Sequence, residues 1–94
     1  MTNKDDIKYV YDIVSARIKL FRNIRKLTQE ELADKAFCSR GLIGNIESVK
    51  TEQTFSLAVL YGLARALDVP LELFVKEDIS EELAELGIKE SDYI

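Results

Sequence analysis

"LTQEELADKAFCSRGLIGNIE", residues 27–47, carries two helix-starting signals close together. Thr28 followed three residues later by Glu31 has the form of a capping box, in which a hydroxyl and a carboxylate each satisfy a backbone amide at a helix start. It predicts a helix from Gln29 to Ala36 with Leu32, Ala33 and Ala36 turned inward. Ser39 is a second helix-starting residue and predicts a helix from Arg40 to Glu47, with Ile43 and Ile46 inward. Few residues separate the two helices, so they must cross steeply, with small Ala33 where they meet. Two of the chain's four glycines, Gly41 and Gly44, fall inside the second of these helices. Each costs a helix roughly 1 kcal/mol relative to alanine, which asks for something that must come very close to its surface.

Outward from this pair, the pattern stays helical. Upstream, Ile7, Val10, Val14, Ile18 and Phe21 recur at steps of three and four, and Tyr11 and Ile24 widen the stripe. That is the period of an amphipathic helix over 7–24, which Asp5 or Asp6 would cap. Downstream, a polar connection, "SVKTEQT", leads to Ser56, which caps a fourth helix carrying Leu57, Leu60, Tyr61, Ala64 and Leu67. Asp68 tolerates the left-handed conformation that closes a helix. Pro70 suits the opening turn of a fifth helix, burying Leu71, Phe74 and Val75. In the tail, "EDISEELAELGIKESDYI", Ser80 and Gly87 bound a sixth short helix. There is no alternating strand pattern, repeat or low-complexity tract. The expected fold is all-α: a compact five-helix domain over 1–76 with an extended first helix, then an acidic C-terminal extension over 77–94.

The chain has 94 residues, 47% hydrophobic and 32% charged, the balance of a soluble globular domain. No apolar run approaches the roughly 20 residues of a membrane span, and the acidic N-terminus is unlike a secretory signal. A single cysteine, Cys38, and the absence of histidine point to a reducing cytoplasm. They also exclude the usual zinc sites, Ser-His-Asp triads and Cys-His dyads. With no Gly-rich phosphate loop or paired acid motif, no enzyme activity, metal or cofactor is expected. The net charge of −4 is unevenly spread. Residues 17–50 hold Arg17, Lys19, Arg22, Arg25, Lys26, Lys35, Arg40 and Lys50 against Glu30, Glu31, Asp34 and Glu47, whereas residues 51–94 hold three basic against ten acidic groups. A basic half of this kind attracts a polyanion despite an acidic total.

The crossing of the two short helices leaves Ser39, Arg40, Gly41, Gly44 and Asn45 on the outer side of the second. The major groove of B-DNA, about 12 Å wide, admits one α-helix. Glycines on such a face let the backbone approach bases or phosphates. Arg40 can reach a guanine edge with its two-pronged guanidinium, and Asn45 can pair with adenine. The amides at the two helix starts, with Thr28, Gln29 and Ser39 beside them, suit phosphate oxygens.

From about Val14 to Phe74 the sequence resembles the phage-repressor type of helix-turn-helix protein, the XRE/Cro family, with its lambda-repressor-like fold. The resemblance is carried by "RIKLFRNIRKLTQEELADKA", "LARALDVPLELF" and the Ile-x-x-Ile-Glu helix between them. It implies a transcriptional regulator, a repressor of palindromic operators, in which Arg40 and Gly41 read bases with Asn45 on the same face. It implies that Gln29 grips phosphate and that Arg22 and Glu47 form a structural ion pair; Gly44, from its place on the outer face, is expected among the phosphate contacts. Two departures stand out. Phe37 occupies the turn where the family usually has glycine, and the loop after Glu47 is longer and less basic, confining its phosphate contacts to Lys50 and Thr51.

A single module buries too little surface for tight specific binding, so a homodimer on double-stranded DNA is expected. Leu71, Leu73, Val75, Ile79, Leu83 and Leu86 offer more apolar surface than a five-helix core needs and are the expected dimer interface. The acidic C-terminal segment suits contact with a protein partner. The rival reading is a protein-interaction module or antitoxin-type partner that keeps the fold with weak or no DNA binding.

Overall fold

A computed structural model describes residues 3–48 and 54–88. They form six helices and, among the described residues, no strand: α1 (Lys4–Ile24), α2 (Gln29–Ala36), α3 (Arg40–Glu47), α4 (Leu57–Leu67), α5 (Glu72–Val75) and α6 (Ser80–Glu85). Helix starts follow local chemistry. Asn3, rather than Asp5 or Asp6, caps α1: its side chain accepts from the Asp6 amide at 3.0 Å, and the Asp6 carboxylate accepts from the Asn3 amide at 3.3 Å. Thr28, Ser39 and Ser56 cap α2, α3 and α4. Ser80 does not cap α6. It is the first helical residue, and Asp78 two positions earlier accepts from both its amide (3.0 Å) and its hydroxyl (2.7 Å).

Four helices end alike. Lys26, Phe37, Asp68 and Gly87 follow α1, α2, α4 and α6 with positive φ. In each case the next amide reaches back to a carbonyl five residues earlier: Leu27 to Arg22, Cys38 to Ala33, Val69 to Ala64 and Ile88 to Leu83. This closure favours glycine, since a Cβ strains the left-handed conformation by about 1–2 kcal/mol. Only the last of the four has one.

Val14, Ile18 and Phe21 from α1, Leu32 and Ala33 from α2, Ile43 and Ile46 from α3, and Leu60, Leu63, Ala64 and Leu67 from α4 share one core with Phe74. The Phe21 and Phe74 rings lie 5.4 Å apart. α2 packs against α3 and α4, and α1 packs along α3, α4 and α5. Arg17 of α1 and Arg25, which caps its C-terminus, bind the ends of other helices, where carbonyls lack partners and the dipole favours a cation. Arg17 donates to the carbonyls of Leu73, Lys76 and Glu77 at 2.6–2.9 Å. Arg25 donates to those of Leu67 and Asp68 at 2.8 and 2.9 Å.

Periodicity misplaced several apolar residues. Ile7 and Val10 are half exposed, because the first turns of α1 run beyond the helices that cover Val14 onward; Val75 is half exposed as well. Leu57 and Tyr61 face outward on α4, Leu57 at 70% exposure. Conversely, Leu73, Ile79 and Leu83 belong to the chain's own core, so of the six residues expected at a dimer interface they are covered from within. Leu71, Val75 and Leu86 retain exposed surface. A boundary after Lys76 therefore separates residues that share one core.

Candidate nucleic-acid interface

The α2–α3 pair carries the residues singled out in the sequence. At the start of α2 the capping box is complete: the Glu31 amide donates to the Thr28 hydroxyl oxygen at 3.0 Å, and the Thr28 amide donates to the Glu31 carboxylate at 2.9 Å. These bonds to Thr28 hold the Glu31 carboxyl below its usual pKa. Glu30 lies in the same turn. The positive end of α2 is therefore met by acids of its own, and Thr28 keeps only its hydroxyl proton to donate elsewhere.

α3 begins differently. The Ser39 hydroxyl oxygen accepts from the Leu42 amide at 3.1 Å, and no acid lies in the first turn. Ser39, Arg40, Gly41 and Asn45 are exposed, and Gly44 is half-buried. A Cβ on Gly41 would meet nothing closer than the Ser39 Oγ at 3.9 Å, and one on Gly44 would meet the Gln29 Oε1 at 3.6 Å. Both are ordinary contacts, so nothing in the fold itself requires glycine at either position. The bareness of this face is turned outward.

The other end of α3 is tied down. Arg22 makes a two-pronged pair with Glu47, Nε to Oε2 at 2.7 Å and Nη2 to Oε1 at 2.8 Å, and its Nη1 donates to the Leu27 carbonyl at 2.8 Å. The Glu47 side chain is 3% exposed and that of Arg22 12%. Hydrogen bonding to Glu47 raises the Arg22 pKa still further. A carboxylate at a helix C-terminus opposes the dipole, and these charge-assisted bonds offset that. Gln29 joins the same group, its Nε2 donating to Glu47 Oε1 at 3.3 Å. One point thus links α1, the start of α2 and the end of α3.

Between α2 and α3, Phe37 sits at φ 56° with 96% of its surface exposed. The neighbouring Cys38 is partly buried, which pushes its thiol pKa up. Lys50 and Thr51 lie outside the described residues.

Sequence reading missed the roles of Arg17 and Arg25, counting both toward an outward basic field. Their signal was positional: eight residues apart, they border the same apolar stripe as Ile18 and Phe21. The Gln29–Glu47 bond was missed as well, since it joins residues 18 apart and has no sequence signature. Among the described residues, no group of His, Cys, Asp and Glu could hold a metal, and no helix is long and apolar enough to cross a membrane.

With this geometry in view, similarity to known proteins can be placed on it. The helix-turn-helix family HTH_3 matches residues 18–74, which span α2 and α3 and run into α5. The immunity repressor protein of Bacillus phage phi105 is 42% identical over 79 residues, a match covering 82% of this chain and 54% of the repressor, so the chain spans about half that relative's length. The control protein C.SmaI of Serratia marcescens is 32% identical over 78 residues, covering 82% of this chain and 87% of that protein. The crystal structure of the restriction-modification controller protein C.AhdI from Aeromonas hydrophila superposes with a TM-score of 0.59 at 29% identity, covering 67% of this chain and 96% of that one.

Proposed function

The chain belongs to the helix-turn-helix family HTH_3, and on that premise we propose that it is a sequence-specific, double-stranded-DNA-binding transcriptional regulator. In this reading it is a repressor acting as a homodimer on a palindromic operator, with α3 in the major groove. The observation that carries it is the outer face of α3. That face pairs exposed Arg40 and Asn45 with two glycines that the fold does not require, beside a helix start free of acids. Such a surface lets backbone and a guanidinium approach a groove floor, and the Arg22–Glu47 pair supports the reading by holding the helix at one angle.

Arg40 reads a guanine edge through its guanidinium, Gly41 admits the close approach, and Asn45 pairs with adenine. The hydroxyls of Thr28 and Ser39, the second amide N–H of Gln29 and the backbone near Gly44 meet phosphate oxygens, as do Lys50 and Thr51 in the loop after α3. Those contacts position the domain without specifying sequence. Leu71, Val75 and Leu86 supply the dimer contact, setting two copies of α3 about 34 Å apart, one turn of B-DNA. Names among the relatives support regulation in two settings, phage immunity and restriction-modification control.

Selection from a random pool of duplex oligonucleotides tests the proposal, followed by fluorescence titration of the enriched sequence across salt concentrations. Two inverted half-sites one helical turn apart are expected, with affinity falling steeply as salt rises. Enrichment of no sequence would overturn it.

A further inference from the structure

α1 and the chain that follows α5 enclose a groove that takes no part in the proposed DNA contacts. Its volume is about 350 Å³. Ala16 and Leu20 of α1 line one side and Ile79 and Leu83 the other, so the lining is mainly apolar, with Glu77 and Asp78 at its edge. The walls are fixed in advance. Arg17 donates to the carbonyls of Leu73, Lys76 and Glu77, which pins the segment after α5 to α1. The Tyr9 hydroxyl adds a bond to the Glu77 carboxylate at 3.2 Å, and Ile79 and Leu83 are anchored in the core. Of the lining, Leu20 alone falls within the family match over 18–74.

The charge around the groove is lopsided. Residues 77–88 carry five acids and no base. Glu82 is paired with Lys76, whereas Glu77, Asp78 and Glu81 remain exposed. Both bonds from Ser80 fall on Oδ1 of Asp78 and hold its carboxyl below the usual pKa, so it stays ionised with Oδ2 open to a cation. On the α1 side, Arg17 spends its hydrogen bonds on carbonyls and Lys8 pairs with Asp12, which leaves Lys19 as the opposing cation. Such a rim repels DNA and attracts a basic partner. Cavities that take small molecules run from roughly 300 to 1,000 Å³. This one is at the low end and open to solvent, which suits one or two side chains of a peptide laid across it. We propose that the groove between α1 and the α5–α6 segment docks a basic, amphipathic segment of a partner protein. An apolar side chain rests on Ala16, Leu20, Ile79 and Leu83, and flanking lysines or arginines meet Glu77, Asp78 and Glu81. The inference is independent of what α3 binds.

The test is panning of a random linear peptide pool against the full chain, followed by fluorescence-anisotropy titration of the enriched peptide. Enriched sequences should carry lysine or arginine around a leucine, isoleucine or phenylalanine, and their affinity should fall as salt rises. Glu77→Gln combined with Glu81→Gln should weaken binding about fivefold. Ala16→Trp, a large side chain at an exposed position of α1, should occupy the groove and weaken binding about tenfold. Circular dichroism should show both variants as helical as the parent. Enrichment of no peptide, or of acidic ones, would overturn the proposal. So would a peptide that binds Ala16→Trp at parental strength, or one that keeps its affinity when its apolar residue is replaced by serine, charge alone then being responsible. Loss of a dimer on adding the peptide, read by light scattering, would assign the groove to a second copy of this chain instead.

Discussion

α2 and α3 have the same length and both open on a hydroxyl cap, yet their N-termini are built for opposite ends. α2 closes on itself: Thr28 and Glu31 satisfy each other's amides, and Glu30 and Glu31 face its dipole. α3 has Ser39 alone, no acid in its first turn, and two glycines along its length. The first arrangement stabilises a helix, whereas the second leaves one underused. α2 thus carries its own local support, whereas α3 depends on its neighbours for order it cannot generate itself.

The largest effect should come from cutting that dependence. Glu47→Ala strands the Arg22 guanidinium among α1, α2 and α3, and breaking a buried pair in this way costs about 3–5 kcal/mol, against roughly 0–1 for a surface bridge. Denaturant unfolding should show a loss near the lower figure, since Arg22 keeps some exposure, and operator affinity should fall with it. Combined with Arg22→Ala, the losses should be strongly non-additive. Additive losses would mean that α3 is held by packing alone.

Next in size is Arg40→Ala. The side chain is exposed, so stability should not change, while discrimination at one guanine drops by about 1–3 kcal/mol per half-site. Binding of the selected operator at parental strength would show that the open end of α3 is not the reading end.

At the two glycines of α3, stability and function should move in opposite directions. Gly41→Ala and Gly44→Ala fit without a clash and should each raise stability by roughly 0.5–1 kcal/mol, while weakening operator binding. A variant that binds DNA as well as the parent would mark that glycine as dispensable on both counts.

The smallest effect belongs to α2. Hydrogen bonds from Thr28 lower the Glu31 pKa from the ordinary 4.5. A group depressed in the folded state contributes stability that is present above its unfolded pKa and lost as pH falls through the folded value. Glu31→Gln should therefore flatten the acid side of the stability–pH curve slightly and leave the curve above pH 5 nearly parallel to the parent's. A variant with unchanged acid sensitivity would mean that the capping carboxylate contributes little.

Much of this molecule was legible from residues close together in the chain. The bounds of α2, α3 and α4 follow from Thr28, Ser39 and Ser56, because a cap acts within one turn and its partners sit three residues away. The Arg22–Glu47 pair came from resemblance to a known family rather than from spacing, and the structure brings the two side chains to 2.7 Å. Phe37 shows the limit of local rules: the left-handed turn survives without its usual glycine because Leu32, Ala33, Ile43 and Ile46 lock α2 onto α3 around it.

Local sequence settles the set of helices, the starts of α2, α3 and α4, and the face each could bury, since these depend on a 3.6-residue period and on side chains reaching their own backbone. The tertiary structure decided how much of each face is covered. It left Ile7, Val10 and Leu57 exposed while drawing Leu73, Ile79 and Leu83 inward. It turned Arg17 and Arg25 from an outward basic field onto carbonyls at helix ends. It also set the orientation of the Gln29 amide against Glu47. These outcomes share one physical reason. Coverage, charge pairing and amide orientation depend on which segments meet across the core, and that meeting is settled by the packing of the whole chain, which no single stretch of it encodes.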